Sequence, residues 1–127
     1  MIGYVTIGTN DLPRATAFYD ALLAPLGIKR IMDFGRGYAW GTAMDKPALG
    51  VMIPFDQQPA QPGNGTMTAI VVDSPQKVDE AYARALALGG TDEGQSGPRG
   101  PGFYAGYCRD LDGNKLNFFC MTQAPAA

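Results

Sequence analysis

Few residue types in this chain could do chemistry. There is no histidine among its 127 residues, which removes Ser-His and Cys-His nucleophile systems, an imidazole base and imidazole metal ligands together. What remains is two cysteines, two loop arginines, a set of aromatic residues and several aspartates. Cys108 and Cys120 are expected as buried free thiols rather than a disulfide or a nucleophile. Arg36 lies between two glycines, and Arg99 lies in the glycine-rich run 94–102; either guanidinium could clamp a carboxylate or phosphate. Tyr38 and Trp40, with Phe103 and Tyr104, could stack a planar ligand. Run 94–102 lacks the strand-to-helix context and Gly-Lys-Ser/Thr ending of a phosphate cradle, and is expected as a flexible lid. Asp11, Asp73, Asp110 and Asp112 fall at turns and helix starts, where capping accounts for them.

The elements that must position these groups centre on residues 107–120. Two apolar, aromatic-rich runs flank Asp110-Leu111-Asp112-Gly113-Asn114. Asp and Asn bond their own backbone and Gly takes the positive φ of a tight turn, so the stretch is a hairpin. If Tyr107 faces Asn117, then Cys108 faces Leu116 and Cys120 faces Tyr104, which leaves the thiols unpaired with each other.

Upstream, 4–9 is a β-branched strand with Tyr4 and Thr6 on one face and Val5 and Ile7 on the other. A helix follows over 12–26, capped near Asp11 and stopped by Gly27, with one apolar stripe of Ala15, Phe18, Tyr19, Leu22, Leu23 and Leu26. Strands are expected at 28–33, 37–42 and 48–53. The proline-rich stretch 56–64 is a linker. The pattern then restarts with a strand at 66–72 and a helix over 78–88, with Ser74 as N-cap and Pro75 at its first position.

Tyr82, Leu86 and Gly90 each stand 63 positions after Tyr19, Leu23 and Gly27. One offset therefore relates two copies of a βαβββ unit. The boundaries are module one at 1–55, linker at 56–64, module two at 65–121 and a disordered tail at 122–127.

The duplication and the closing Asp-x-Asp-Gly-Asn hairpin resemble the vicinal oxygen chelate superfamily of glyoxalase I, bleomycin-resistance proteins and extradiol dioxygenases. That resemblance implies an α+β fold in which two tandem βαβββ modules form a curved sheet cavity with helices outside, and a homodimer. It also implies metal ligands at four positions. Here those positions hold Tyr4, Met67, Asn117 and the apolar strand 49–53, so no metal and no other cofactor is expected. A phenol, a thioether and an amide are poor donors for a divalent ion at neutral pH.

The cavity face implied by the resemblance carries Tyr4, Thr6, Met67, Ala69, Val71, Tyr107, Asn117, Phe119 and Met121. With Tyr38, Trp40 and Arg99 at its walls and rim, the expected function is binding of a small hydrophobic or aromatic molecule, as in the drug-sequestering branch. The alternative implied by the same resemblance is a metal-dependent lyase, isomerase or dioxygenase of the lactoylglutathione-lyase type, or one using Tyr4 as acid and Asn117 to polarise a carbonyl.

A net charge of −2 with ten scattered Lys and Arg gives no basic stripe, so nucleic acid is excluded as a partner. No apolar run approaches the roughly 20 residues that span a bilayer. The expectation is a cytoplasmic protein without a membrane partner.

Overall fold

Local chemistry sets where each element begins. In the computed structural model, which describes residues 1–122, β1 (Tyr4–Gly8) ends before Asp11, whose carboxylate accepts from the Arg14 N–H and starts α1 (Leu12–Leu23). A short 3₁₀ turn, Ala24–Leu26, follows, and Gly27 closes it with φ +74°, where a side chain would be strained. Then come β2 (Lys29–Asp33), β3 (Gly37–Gly41) and β4 (Ala48–Met52). Residues 53–67 form neither helix nor strand.

The second unit repeats this order. It consists of β5 (Thr68–Val71), α2 (Pro75–Ala87), β6 (Thr91–Pro98), β7 (Phe103–Arg109) and β8 (Lys115–Met121). Ser74 caps α2 by accepting from the Lys77 N–H at 3.2 Å. Each unit makes a four-stranded sheet, ordered β1-β4-β3-β2 and β5-β8-β7-β6, in which the first strand lies parallel to the last. The expected architecture of two tandem βαβββ modules is thus present.

The hairpin register is the one expected from the Asp-Gly-Asn turn. Tyr107 pairs with Asn117, Cys108 with Leu116 and Tyr104 with Cys120. Both cysteines are free and buried.

The glycine-rich run is different from its expectation. Most of it is β6, paired to β7, and only residues 99–102 turn the chain. Two register shifts, at 92/94 and 94/97, absorb the glycines without breaking the ladder. A lid over 94–102 is therefore corrected to a strand. Of the expected tail, residues 123–127 lie outside the described residues.

One core joins the modules. Phe18, Tyr19, Leu22 and Leu23 of α1 pack in the same cluster as Val78, Ala81 and Ala85 of α2 and Leu116 and Phe118 of β8. Each fully buried Leu or Phe contributes about 1.5–3 kcal/mol. Exposed ion pairs such as Lys77–Asp73 contribute at most about 1 kcal/mol each, so packing decides the architecture.

Polar bonds set the seam between modules. Asn114 Nδ2 donates to the Gly8 carbonyl at 2.8 Å, the Asn10 N–H donates to Asp112 at 2.9 Å, and Arg84 Nε donates to the Leu22 carbonyl at 3.0 Å.

Candidate functional site

Strand alternation divides each sheet into a face turned to its helix and a free face. On β8, Leu116, Phe118 and Cys120 belong to the buried core, so Lys115, Asn117, Phe119 and Met121 point to the free face. The register brings Phe103, Ala105 and Tyr107 of β7 beside Met121, Phe119 and Asn117. From β5, Ala69 and Val71 stand beside Asn117 and Phe119, with Met67 two residues earlier on the same parity.

This free face is an aromatic wall with cations at one end. The Phe103 and Phe119 rings stack at 5.4 Å between centroids and 30° between planes. Around Tyr107, the Arg99 guanidinium carbon lies 5.5 Å and the Lys115 Nζ 5.7 Å from the ring centroid.

Arg99 reaches Tyr107 because β6 presents no side chain in its path. Gly94 pairs with Tyr107 and Gly97 with Ala105, and a Cβ at either glycine would touch the Arg99 guanidinium at 3.5 Å. The guanidinium also donates to the Gln95 and Pro98 carbonyls, which fixes its direction along the strand.

The first sheet's free face is built differently. Tyr4 and Thr6 are exposed there, beside Ala48 and Gly50 of β4, while β3 contributes Gly37, Ala39 and Gly41. A cavity of about 450 Å³ opens between Thr6, Gly8, Met52, Arg36 and the segment around Phe55 and Gln58. A second cavity, about 790 Å³ and mostly apolar, lies between the β1 and β5 edges, against Val5, Leu49, Met67, Ile70 and Val71.

Two expected wall residues belong to the opposite face. Tyr38 and Trp40 pair with Val51 and Leu49, and all four belong to or pack against the core on the α1 side. Trp40 is 1% exposed, donates its indole N–H to Asp20 at 3.0 Å and packs 5.7 Å from Tyr19. Tyr38 lies under the Arg30 guanidinium. Trp40 lines the apolar cavity between the sheets.

Asn117 occupies the expected face but is 2% exposed, and its Nδ2 donates to the Gly106 and Phe118 carbonyls. Its amide donors thus brace β7 against β8. Lys115 was missed in the sequence, although its parity with Asn117 and Phe119 carried the signal. Arg36, expected as a candidate anion clamp, lines the smaller cavity, whereas the 54–61 segment beside it was read only as linker.

The cysteines offer no nucleophile. Burial, with Asp110 and Asp92 nearby, pushes the Cys108 thiol up to about 12, so the thiolate is absent at neutral pH.

Residues 1–118 match the sequence model of the Glyoxalase/Bleomycin resistance protein/Dioxygenase superfamily. The chain belongs to this superfamily. A glyoxalase/bleomycin resistance protein from Albidiferax ferrireducens T118 is 36% identical, covers 94% of this chain and 98% of its own, and superposes with a TM-score of 0.86. The fold alone is shared with a glyoxalase-related enzyme from Fulvimarina pelagi, at 20% identity over 100% of this chain and 92% of that one (TM-score 0.76). It is shared equally with the fosfomycin resistance protein FosX of Listeria monocytogenes, at 21% identity over 96% and 93% (TM-score 0.69). No curated protein matches.

Superfamily membership makes the donor set a specific question. Tyr4 is 64% exposed, Met67 offers a thioether, and Asn117 offers a neutral amide already bonded to the backbone. Among the described residues no three His, Cys, Asp or Glu side chains are grouped to hold a metal ion. These residues do not fit a divalent cation, which needs imidazole or carboxylate donors. Among the described residues, no helix of this superfamily member is long and apolar enough to cross a membrane.

Proposed function

We propose that this protein is a metal-independent member of the superfamily that binds a small aromatic or hydrophobic molecule without turnover, as a homodimer in the cytoplasm. The observation that carries the reading is the stacked Phe103–Phe119 pair beside Tyr107 on a face no helix covers. Stacking surfaces of this kind bind planar ligands through offset aromatic contacts. The donor chemistry at Tyr4, Met67 and Asn117 supports binding over metal-assisted catalysis.

Exposed Tyr4, Met67, Val71 and Met121, at 43–67% exposure, support pairing with a second copy. The rival mechanism, in which Asn117 polarises a substrate carbonyl, is opposed by the Gly106 and Phe118 carbonyls that take its amide donors.

Native mass spectrometry of protein purified from cells, before and after incubation with zinc, nickel, manganese and iron, tests the reading. A dimer mass carrying an organic adduct and no metal is expected. A stoichiometric metal lost in Tyr4→Phe or Asn117→Ala, with turnover of a methylglyoxal-thiol adduct or a catechol, would overturn it.

A further inference from the structure

We infer that the ligand of the second sheet's free face is an aromatic anion, a carboxylate on one or two fused rings, held by Arg99 and Lys115 with its rings on Phe119 and Phe103. This rests on the aromatic-binding reading above and specifies its ligand class.

Three cations stand around this face, and they are not equivalent. Arg109 is already neutralised by Glu93 and donates to the Gly113 carbonyl at 2.8 Å. Arg99 and Lys115 have no carboxylate within ion-pair distance among the described residues, although the chain as a whole carries a net charge of −2. The Gln95 and Pro98 carbonyls orient Arg99 without cancelling its charge. Both cations rest against the Tyr107 ring, a weaker partner than a carboxylate oxygen.

The spacing suits one ligand. Tyr107 pairs with Asn117, so Phe119 is its diagonal neighbour across an antiparallel pair, a separation of about 7–8 Å. A carboxylate placed at the Arg99–Lys115 end therefore carries its rings onto Phe119 and the Phe103 ring stacked with it. A cationic aromatic would meet two like charges at the same point.

Isothermal titration with naphthalene-1-carboxylate and with uncharged naphthalene-1-carboxamide separates the charge from the ring. The expected result is at least about tenfold tighter binding of the carboxylate, the range of a charge-assisted hydrogen bond. That preference should vanish in the Arg99→Gln/Lys115→Gln double variant, with the carboxylate losing more affinity than the amide. Arg99 is exposed and Lys115 half-buried, neither belongs to the core cluster, and circular dichroism checks that the variant keeps its fold. Phe119→Ala should weaken both probes alike. Equal binding of the two probes, or a preference that survives the double variant, would overturn the anion class and leave aromatic binding standing. Silence toward both probes would overturn aromatic binding as well.

Discussion

Tyr19 and Asp110 stand 91 positions apart and meet in a 2.5 Å hydrogen bond from the phenol to a carboxylate oxygen, both buried. The other Asp110 oxygen accepts the Asp112 and Asn114 N–H groups at 2.9 Å, and Asn114 reaches on to the Gly8 carbonyl. One carboxylate thus closes the β7–β8 turn and fastens it to α1 of the other module. Burial, with the charge of Asp110 and the bond to it, holds the Tyr19 phenol well above its ordinary range, so it stays a donor. Tyr19→Phe removes that donor from a buried acceptor. We expect a loss of about 1–3 kcal/mol in urea unfolding with the fold retained. A change below about 0.5 kcal/mol would mean the seam is held by packing alone.

That turn was the most legible part of the sequence. Asp-Gly-Asn admits few backbone solutions, so the Tyr107–Asn117 register and the separation of the two cysteines followed from it. Helix caps at Asp11 and Ser74 were equally local, and the 63-residue offset exposed the repeat. Parity grouped the β5, β7 and β8 residues that share a face, and the family resemblance said that this face is the one turned away from the helices. Trp40 was misplaced because alternation says which residues share a face, not which face a helix covers. The alternating Gly37, Ala39 and Gly41 were the available clue, since a helix-covered face requires the bulk. The β6 strand was hidden because its glycines favour a loop locally, and pairing with β7 overrides that preference.

Alkaline stability follows from Cys108. Burial, with Asp110 and Asp92 nearby, pushes its thiol up to about 12 in the fold, from 9.0 for a free cysteine side chain. A raised folded value means no effect below pH 9. Between pH 9 and about 12 the unfolded chain loses its proton while the folded one keeps it, so stability falls as pH rises, by roughly 1.4 kcal/mol per unit. Urea titrations at pH 8 to 10.5 should show this decline, and Cys108→Ala should flatten it relative to the parent. An equal slope in both would assign the decline to other groups.

Gly37 tests how closely β3 approaches β4. A Cβ there would lie 2.2 Å from the Val51 carbonyl oxygen and 2.7 Å from the Met52 Cα, both backbone atoms that cannot turn aside. Gly37→Ala should therefore destabilise the protein by about 1–3 kcal/mol, as overpacking does. Gly27→Ala, at φ +74° with open space around it, isolates the cost of backbone conformation without a clash. The larger loss is expected at Gly37, and the reverse order would mean that the sheet yields there.

Trp40 separates the two places a ligand could bind. Its ring lies on the α1 side, bonded to Asp20, and lines the apolar cavity between β1 and β5. Asp20 keeps Arg30 at 3.2 Å when the indole is removed, so Trp40→Phe leaves no unpaired charge. The expected cost is about 1–3 kcal/mol from lost packing and one hydrogen bond. Affinity for an aromatic ligand on the Phe103–Phe119 wall should stay within about twofold, because no Trp40 atom faces that wall. Titration of the parent and the variant with the same naphthalene probes reads this directly. A tenfold loss in Trp40→Phe, with Phe119→Ala silent, would transfer the binding site to the cavity between the sheets.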